Sequence, residues 1–416
     1  MIELRPQPIG IFPFPAANLL LPNLAVSHED EIQSLLNGDS SVELPPEWEF
    51  FSLAANGDID AAVKSIQSVA ASSPIYTYNL FVLAPSPDAY QAASNLLTGD
   101  LRELLDVAAY TVGIIDNLGE EFTLDGELGA LALATSATTD IEKEDFKSAQ
   151  AKLKSAVAGS KKESPILAVL LLSQAADLAA SLPDVSPAHV MQDYKGAIEM
   201  AEDCKLPMLI PELYTRMGMM LQNASNGQRG ALLQAVNSYQ AALQSGVTQE
   251  DHPQLFAQLQ NNLGLAYLSM PATGASHQLR NGIAVQSFRH ALKVYTIEAF
   301  PDMWASVSMN LANALQYAPS SHPEENLIQA VETYEEVLQV RSRAKDPVAY
   351  ALVLLNQANA LAHLGMFKPA LEKLAEAYKL FHWYDQIEQA NAAQELVEQI
   401  NQKLGDRGEQ LELTKQ

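Results

Sequence analysis

Side-chain amides are the residues of this chain whose type and spacing best suit recognition chemistry. Asn261 and Asn262, Asn310 and Asn313, and Asn356 and Asn359 recur in the C-terminal half, and Asn262, Asn310 and Asn356 are 48 and 46 residues apart. Gln316 and His363 continue the set. An amide both donates and accepts, so a row of them could hold an extended peptide backbone whatever its side chains. Leu265 and Met309, together with Met219, would stand beside them as apolar anchors. The same amides could instead bond one another and fix the angle at which successive units stack.

Catalytic chemistry finds less support. Neither common phosphate-binding glycine loop occurs, which argues against a nucleotide enzyme. His28-Glu29-Asp30-Glu31-Ile32 starts like a zinc-protease helix but lacks the second histidine, and reads as an acidic helix start. The eight histidines are dispersed; His252 and His322 each precede a proline and should shape turns or cap helices. Cys204, the one cysteine, excludes an intramolecular disulfide or a paired-cysteine metal motif. Lys205 beside it could lower its pKa, although a small core or boundary residue is the simpler reading. Asp58 and Asp60 flank a turn and suit helix capping. No catalytic residue, metal or cofactor is expected.

Composition bounds the partners. Hydrophobic residues make up 48% of the 416 positions and charged residues 18%, a core-forming mixture. The net charge of −25 argues against nucleic acid or an anionic membrane as ligand, since both require concentrated positive charge. Residues 1–100 hold two cations, Arg5 and Lys64, against twelve carboxylates, which either solubilise a face or steer a basic partner. Ile9 to Val26 is uncharged, but Pro13, Pro15 and Pro22 break any spanning helix. Pro165 to Leu182 carries Gln174 and Asp177 and suits a packed helix better than a membrane span. A soluble, cytoplasmic protein is expected.

The elements that must position the amides come from an internal repeat. Pro207, Pro253, Pro301 and Pro347 recur at intervals of 46, 48 and 46 residues. Three positions after each stands a bulky residue (Ile210, Phe256, Trp304, Tyr350), and ten after stand Met217, Leu263, Leu311 and Gln357. The next residue is always small: Gly218, Gly264, Ala312, Ala358. Proline suits a first helical turn, where its missing N–H has no partner. Positions three, seven and ten further on share one helical face, which predicts a buried stripe, and the small residue admits a second helix closely. That helix follows each time: Ala235, Tyr239, Ala242; Ala284, Phe288, Ala291; Ala330, Tyr334, Val337; Ala370, Leu374, Ala377. The unit is an antiparallel helical hairpin in tandem.

The strings Asn262-Leu263-Gly264-Leu265-Ala266-Tyr267 and Ala284-Val285-Gln286-Ser287-Phe288-Arg289-His290-Ala291 resemble the tetratricopeptide repeat, firmly over about 200–385. Loops such as Asn223 to Gly227, Pro271 to Ser276 and Pro319 to Pro323 lengthen the units, as in arrays common in bacteria and cyanobacteria. The resemblance implies an all-α solenoid of stacked hairpins whose first helices line a concave side carrying Asn261, Asn262, Leu265, Met309, Asn310, Asn313, Gln316, Asn356, Asn359 and His363. Relatives that grip acidic chaperone tails use Lys and Arg there; Asn, Leu and Met hold those places here. A neutral or basic protein segment is the partner this implies.

Upstream, Val190, Tyr194 and Ala197 fit a second helix partnered by Leu172 and Ala176. Ala149, Leu153 and Ala156 fit another, with a less regular partner around Leu128 to Ala134. Trp48 to Val69 reads as a hairpin turning at Asn56-Gly57-Asp58, and after Pro85 two helices are expected near Ala89–Leu97 and Leu101–Leu118. Four regions result: 1–46, an extended proline-containing strap that could fold back as an internal groove ligand; 47–160, irregular hairpins; 161–385, the array; and 386–416, a capping helix (about Asn391 to Leu404) and a frayed tail. His382-Trp383-Tyr384 is expected to pack into the last hairpin. The function this suggests is a non-catalytic scaffold or adaptor binding a partner segment in the groove of 207–385. The alternatives are an assembly factor or chaperone-like holder of immature clients, and an enzyme or small-ligand sensor with its pocket between 47 and 160.

Overall fold

In the computed structural model, residues 4–22, 28–70, 73–119, 121–271 and 276–406 are described, so the end of the strap (23–26), most of the Pro271–Ser276 loop and the tail beyond 406 lie outside them. The chain forms two compact units, Met1–Met220 and Leu221–Gln416. Among the described residues there are nineteen α-helices and no strand.

The first unit holds α1 (Glu29–Leu36), α2 (Glu49–Ala55), α3 (Ile59–Gln67), α4 (Pro74–Leu83), α5 (Pro87–Ser94), α6 (Asp100–Thr111), α7 (Gly126–Glu142), α8 (Phe146–Ser160), α9 (Pro165–Ala180), α10 (Pro187–Ala201) and most of α11 (Leu209–Asn223). The second holds α12 (Arg229–Gln244), α13 (Pro253–Leu268), α14 (Ser276–Ala291), α15 (Pro301–Leu315), α16 (Pro323–Val340), α17 (Pro347–His363), α18 (Phe367–Trp383) and α19 (Ile387–Asp406). From α2 to α10 in the first unit and from α12 to α19 in the second, consecutive helices pack as neighbours, most extensively α7 with α8, α9 with α10, α13 with α14 and α17 with α18. The repeating unit is the helical hairpin that the proline register implies.

The helix starts follow local chemistry. Proline opens α9, α10, α13, α15, α16 and α17. Asp58 caps α3 by accepting from the Ala61 N–H (3.2 Å), and Asp346 caps α17 by accepting from the Ala349 N–H (2.9 Å). His252 and His322 occupy the N-cap positions of α13 and α16 without a capping side-chain bond.

The small-and-large pairing is visible in the packing. A Cβ at Gly264 on α13 would stand 2.5 Å from Cε1 of Phe288 on α14, so only glycine admits that fully buried ring. Ala312 meets Tyr334 in one core, and Ala358 shares another with Leu374. Ile210, Phe256, Trp304 and Tyr350, expected in a buried stripe, are half-buried; the fully buried face is carried by alanines and the second-helix aromatics. Capping helix α19 closes its end of the array with Ala393, Ile400 and Leu404.

Two further expectations are corrected. The N-terminal segment is not a free strap available to a groove. Ile9, Leu19, Leu20 and Leu21 have no exposed surface and belong to the core of the first unit. Its irregular backbone is satisfied by buried side chains, as buried N–H and C=O groups must be. Gln7 donates to the Leu21 carbonyl (3.1 Å) and accepts from its N–H (2.8 Å), Asn79 makes the same pair of bonds with Leu20 (2.7 and 2.9 Å), and buried Glu127 accepts from Gln7 N–H (3.0 Å) and Arg5 Nε (2.9 Å). Tyr78 and Trp48 donate to the Asn18 and Pro22 carbonyls. Trp383, in turn, is 80% exposed, because the chain turns out of α18 at that residue. The hairpin α2–α3 forms about Asn56–Asp58 as expected and α1 begins at the acidic start Glu29-Asp30-Glu31, whereas α4 was not foreseen. Helix α4 buries Ile75, Tyr78, Asn79, Phe81, Val82 and Leu83, which leaves it no amphipathic period to read.

Candidate functional site

The amides of the second unit lie half-buried on α13, α15 and α17, and they bond one another across successive hairpins. Asn310 Nδ2 donates to Asn261 Oδ1 (3.1 Å), and Asn359 Nδ2 donates to Gln316 Oε1 (3.0 Å) and to the Tyr317 hydroxyl (3.3 Å). Asn313 Oδ1 accepts from the Tyr334 hydroxyl, which also accepts from Gln316 Nε2 (2.8 Å). Burial raises the Tyr334 pKa, so the phenol stays protonated and remains a donor. These bonds tie first helix to first helix and first helix to second, each contributing about 1 kcal/mol. Stacking therefore uses both ends of Gln316 but one end of the Asn310, Asn313 and Asn359 amides. Asn261 and Asn262 share only a long contact (3.5 Å), and Asn356 makes no side-chain hydrogen bond among the described residues. Leu265 and Met309 are half-buried beside them.

A cation that the helix register did not foretell reaches this face. Arg341, which follows α16, donates to Ser306 Oγ (2.6 Å) and passes 3.9 Å from Met309 Sδ. His363 is exposed and stands edge-on to Tyr317 at 6.2 Å between ring centres. Desolvation first, and then the charge of Lys403, hold its pKa below the ordinary imidazole value.

The first unit carries an open groove on the equivalent helix face. Nine positions after Pro165, Pro207, Pro253, Pro301 and Pro347 stand Gln174, Arg216, Asn262, Asn310 and Asn356, a polar series that the sequence contains and that points to this face. Gln174 and Ala134 line two adjoining cavities. One, of about 210 Å³, has a leucine floor (Leu131, Leu167, Leu170, Leu171, Leu213) with Glu212 and Arg216 at its rim. Gly10 supplies part of its wall, and only glycine fits there: its φ is +73°, and a Cβ would lie 2.7 Å from Leu167 Cδ1. The other, of about 500 Å³, is polar, with Tyr110, Thr135, Thr138, Asp116 and Glu142. Arg216 is engaged by Asp177 (2.6 Å), which also accepts from the Tyr194 hydroxyl.

Nucleophilic chemistry at Cys204 is opposed by its surroundings. Burial first, then Asp203, push its thiol pKa up, while Lys205 turns away to Asp39 (3.6 Å). The expectation that Lys205 lowers it is thereby corrected. Among the described residues no group of three His, Cys, Asp or Glu could hold a metal ion, and no helix is long and apolar enough to cross a membrane.

No protein-family model matches the chain, and no curated protein matches it. Several solved structures do. The apo form of RapI is 13% identical with a TM-score of 0.46, the match covering 85% of this chain and 98% of that one. A Rap protein complexed with competence and sporulation factor is 13% identical with a TM-score of 0.41, covering 89% and 99%. The TPR domain of P58(IPK) is 15% identical with a TM-score of 0.25, covering 85% and 98%. In the chain itself, the Leu263-Gly264 of one helix receives the Phe288 of the next, with Ala284 and Ala291 one turn to either side. The described residues form an all-α array of helical hairpins in tandem, which is similar to tetratricopeptide-repeat proteins. In such an array the first helices, α13, α15 and α17, present the amide-bearing face.

Proposed function

We propose that the protein is a non-catalytic interaction scaffold or adaptor that holds a segment of a partner protein on the face formed by its first helices. The observation that carries this reading is the half-used amide row. Asn261–Asn310 and Gln316–Asn359 link successive hairpins, while among the described residues Asn356 makes no side-chain hydrogen bond and Asn262 only a long one. Such groups, half-buried and equally spaced, are suited to a peptide backbone. Leu265 and Met309 supply apolar contact, and the net charge of −25 favours a neutral or basic segment and disfavours nucleic acid. A cytoplasmic location is part of the same reading.

The test avoids amides whose loss damages the scaffold. Asn262→Ala with Asn356→Ala should abolish recovery of a stoichiometric partner by the tagged chain while moving the melting temperature by under about 2 °C. Full retention of the partner would overturn the proposal. A second reading, a chaperone-like holder of immature clients, is favoured by exposed apolar side chains such as Leu279 (66%), Ile387 (70%) and Trp383 (80%). It predicts recovery of many unfinished clients by wild type and variant alike.

A further inference from the structure

The groove on the first unit lies outside the amide row and has its own chemistry. Its leucine-floored cavity and its polar cavity meet at Ala134 and Gln174, so one ligand can occupy both. The floor is deep and apolar: Leu167, Leu171 and Leu213 are each 3% exposed or less. The carboxylates are Asp116 and Glu142 at the polar end and Glu212 at the apolar end. None of the three forms an ion pair among the described residues, and Glu142 receives only the Tyr110 hydroxyl (3.3 Å). Among the described residues that line the two cavities the one cation is Arg216, already neutralised by Asp177. A negatively charged ligand would meet three carboxylates and no free cation. An apolar side chain without a charge would leave the polar end unfilled.

We infer that this groove is a selective site for an extended peptide segment that places a bulky aliphatic side chain on the leucine floor and a basic side chain between Asp116 and Glu142. The inference rests on the reading of the first-helix face as a peptide-binding surface, and adds a second site with a defined ligand. The geometry sets the spacing. From Leu131 to Glu142, helix α7 rises ~16 Å at ~1.5 Å per residue. An extended peptide covers that in roughly five residues, so aliphatic and basic residues should stand four or five positions apart.

The test uses the full chain and dye-labelled nonapeptides. The probe is Gly-Leu-Leu-Ser-Gly-Ser-Lys-Lys-Gly; one control carries Glu-Glu for Lys-Lys, another Ser-Ser for Leu-Leu. Fluorescence polarisation should show the probe binding at least tenfold tighter than either control, with the preference for Lys shrinking at high salt. Gln174 is exposed and lines both cavities, so Gln174→Trp fills the neck with little risk to folding and should remove binding. Asp116→Asn with Glu142→Gln should weaken the probe about three- to tenfold, as expected for two exposed charge contacts, and narrow its advantage over the Glu control. Asn262→Ala with Asn356→Ala should leave probe affinity unchanged. Equal affinity for the controls, indifference to Gln174→Trp, or no binding up to about 1 mM overturns the inference. So does loss of the probe in the Asn262/Asn356 variant, which would place it on the amide row and leave the proposed function standing. If the probe behaves as expected while that variant keeps its partner, the amide-row reading fails and the groove remains.

Discussion

Gly264→Ala tests whether the helical hairpin depends on close approach at one atom. A methyl group there would lie 2.5, 2.6 and 2.9 Å from Cε1, Cζ and Cδ1 of Phe288, whereas carbon atoms in contact prefer about 3.5–4.0 Å. The ring cannot step aside. It is fully buried, with Ala257, Ala284, Ala291 and Leu311 in the same cluster. Either α13 and α14 separate by about 1 Å, losing dispersion along their length, or the ring leaves its rotamer; overpacking of this kind costs about 1–3 kcal/mol. Alanine recovers about 1 kcal/mol of helix propensity, leaving a net loss of up to roughly 2 kcal/mol. For a unit of this size that is a fall of up to about 8 °C in melting temperature, measured by thermal unfolding with Trp304, on the packed side of the same cluster, as the fluorescent reporter. Adding Phe288→Leu to Gly264→Ala should cost less than adding it to the wild type, with a coupling near 1 kcal/mol. The last hairpin supplies the precedent, pairing Ala358 with Leu374 at the same register. A raised melting temperature in Gly264→Ala, or additive behaviour in the double variant, would refute the reasoning.

Three more outcomes are expected. Glu127→Ala removes the acceptor for both Arg5 Nε and the Gln7 N–H in a fully buried position; it should cost about 3 kcal/mol and make residues 4–22 the first site of limited proteolysis, with Glu127→Gln milder. Tyr334→Phe leaves Asn313 and Gln316 without their shared partner and should cost about 1–2 kcal/mol by chemical denaturation, although phenylalanine serves at the equivalent Phe288. His363 should titrate below the ordinary imidazole value in an NMR titration, and Lys403→Gln should raise it. Because its folded pKa is depressed, the unfolded chain takes up the proton first. Below the unfolded value the stability of the second unit should therefore fall as pH falls, and His363→Gln should flatten that slope.

Much of the scaffold was written in the chain as local signals. Proline at helix starts, a small residue eleven positions later and an alanine–aromatic–alanine trio fix helix, contact point and partner helix through backbone geometry alone, and they recur. Asp58 at its turn and Pro323 at the start of α16 follow the same local rules. What repeats in sequence could be read because each copy confirms the others.

The rest depended on contacts between residues far apart. Nothing near Gln7 announces that its amide will serve Leu21, nor near Asn79 that it will bracket Leu20, 59 residues earlier. A proline-rich apolar stretch reads as a free strap until the helices that satisfy its backbone are in place. The same holds for the amide row: residue type and register announced its capacity to bond, but only the stacking distance decided that Asn310 would meet Asn261 and Asn359 would meet Gln316. The groove of the first unit arises where Gly10, α7, α9 and α11 converge, so its floor and its acidic end belong to no local motif. Sequence determined the repeating helices because hydrogen bonds and steric fit within a turn are local. Tertiary structure decided which polar groups were used up and which were left facing solvent, because burial and partner choice are properties of the whole packed chain.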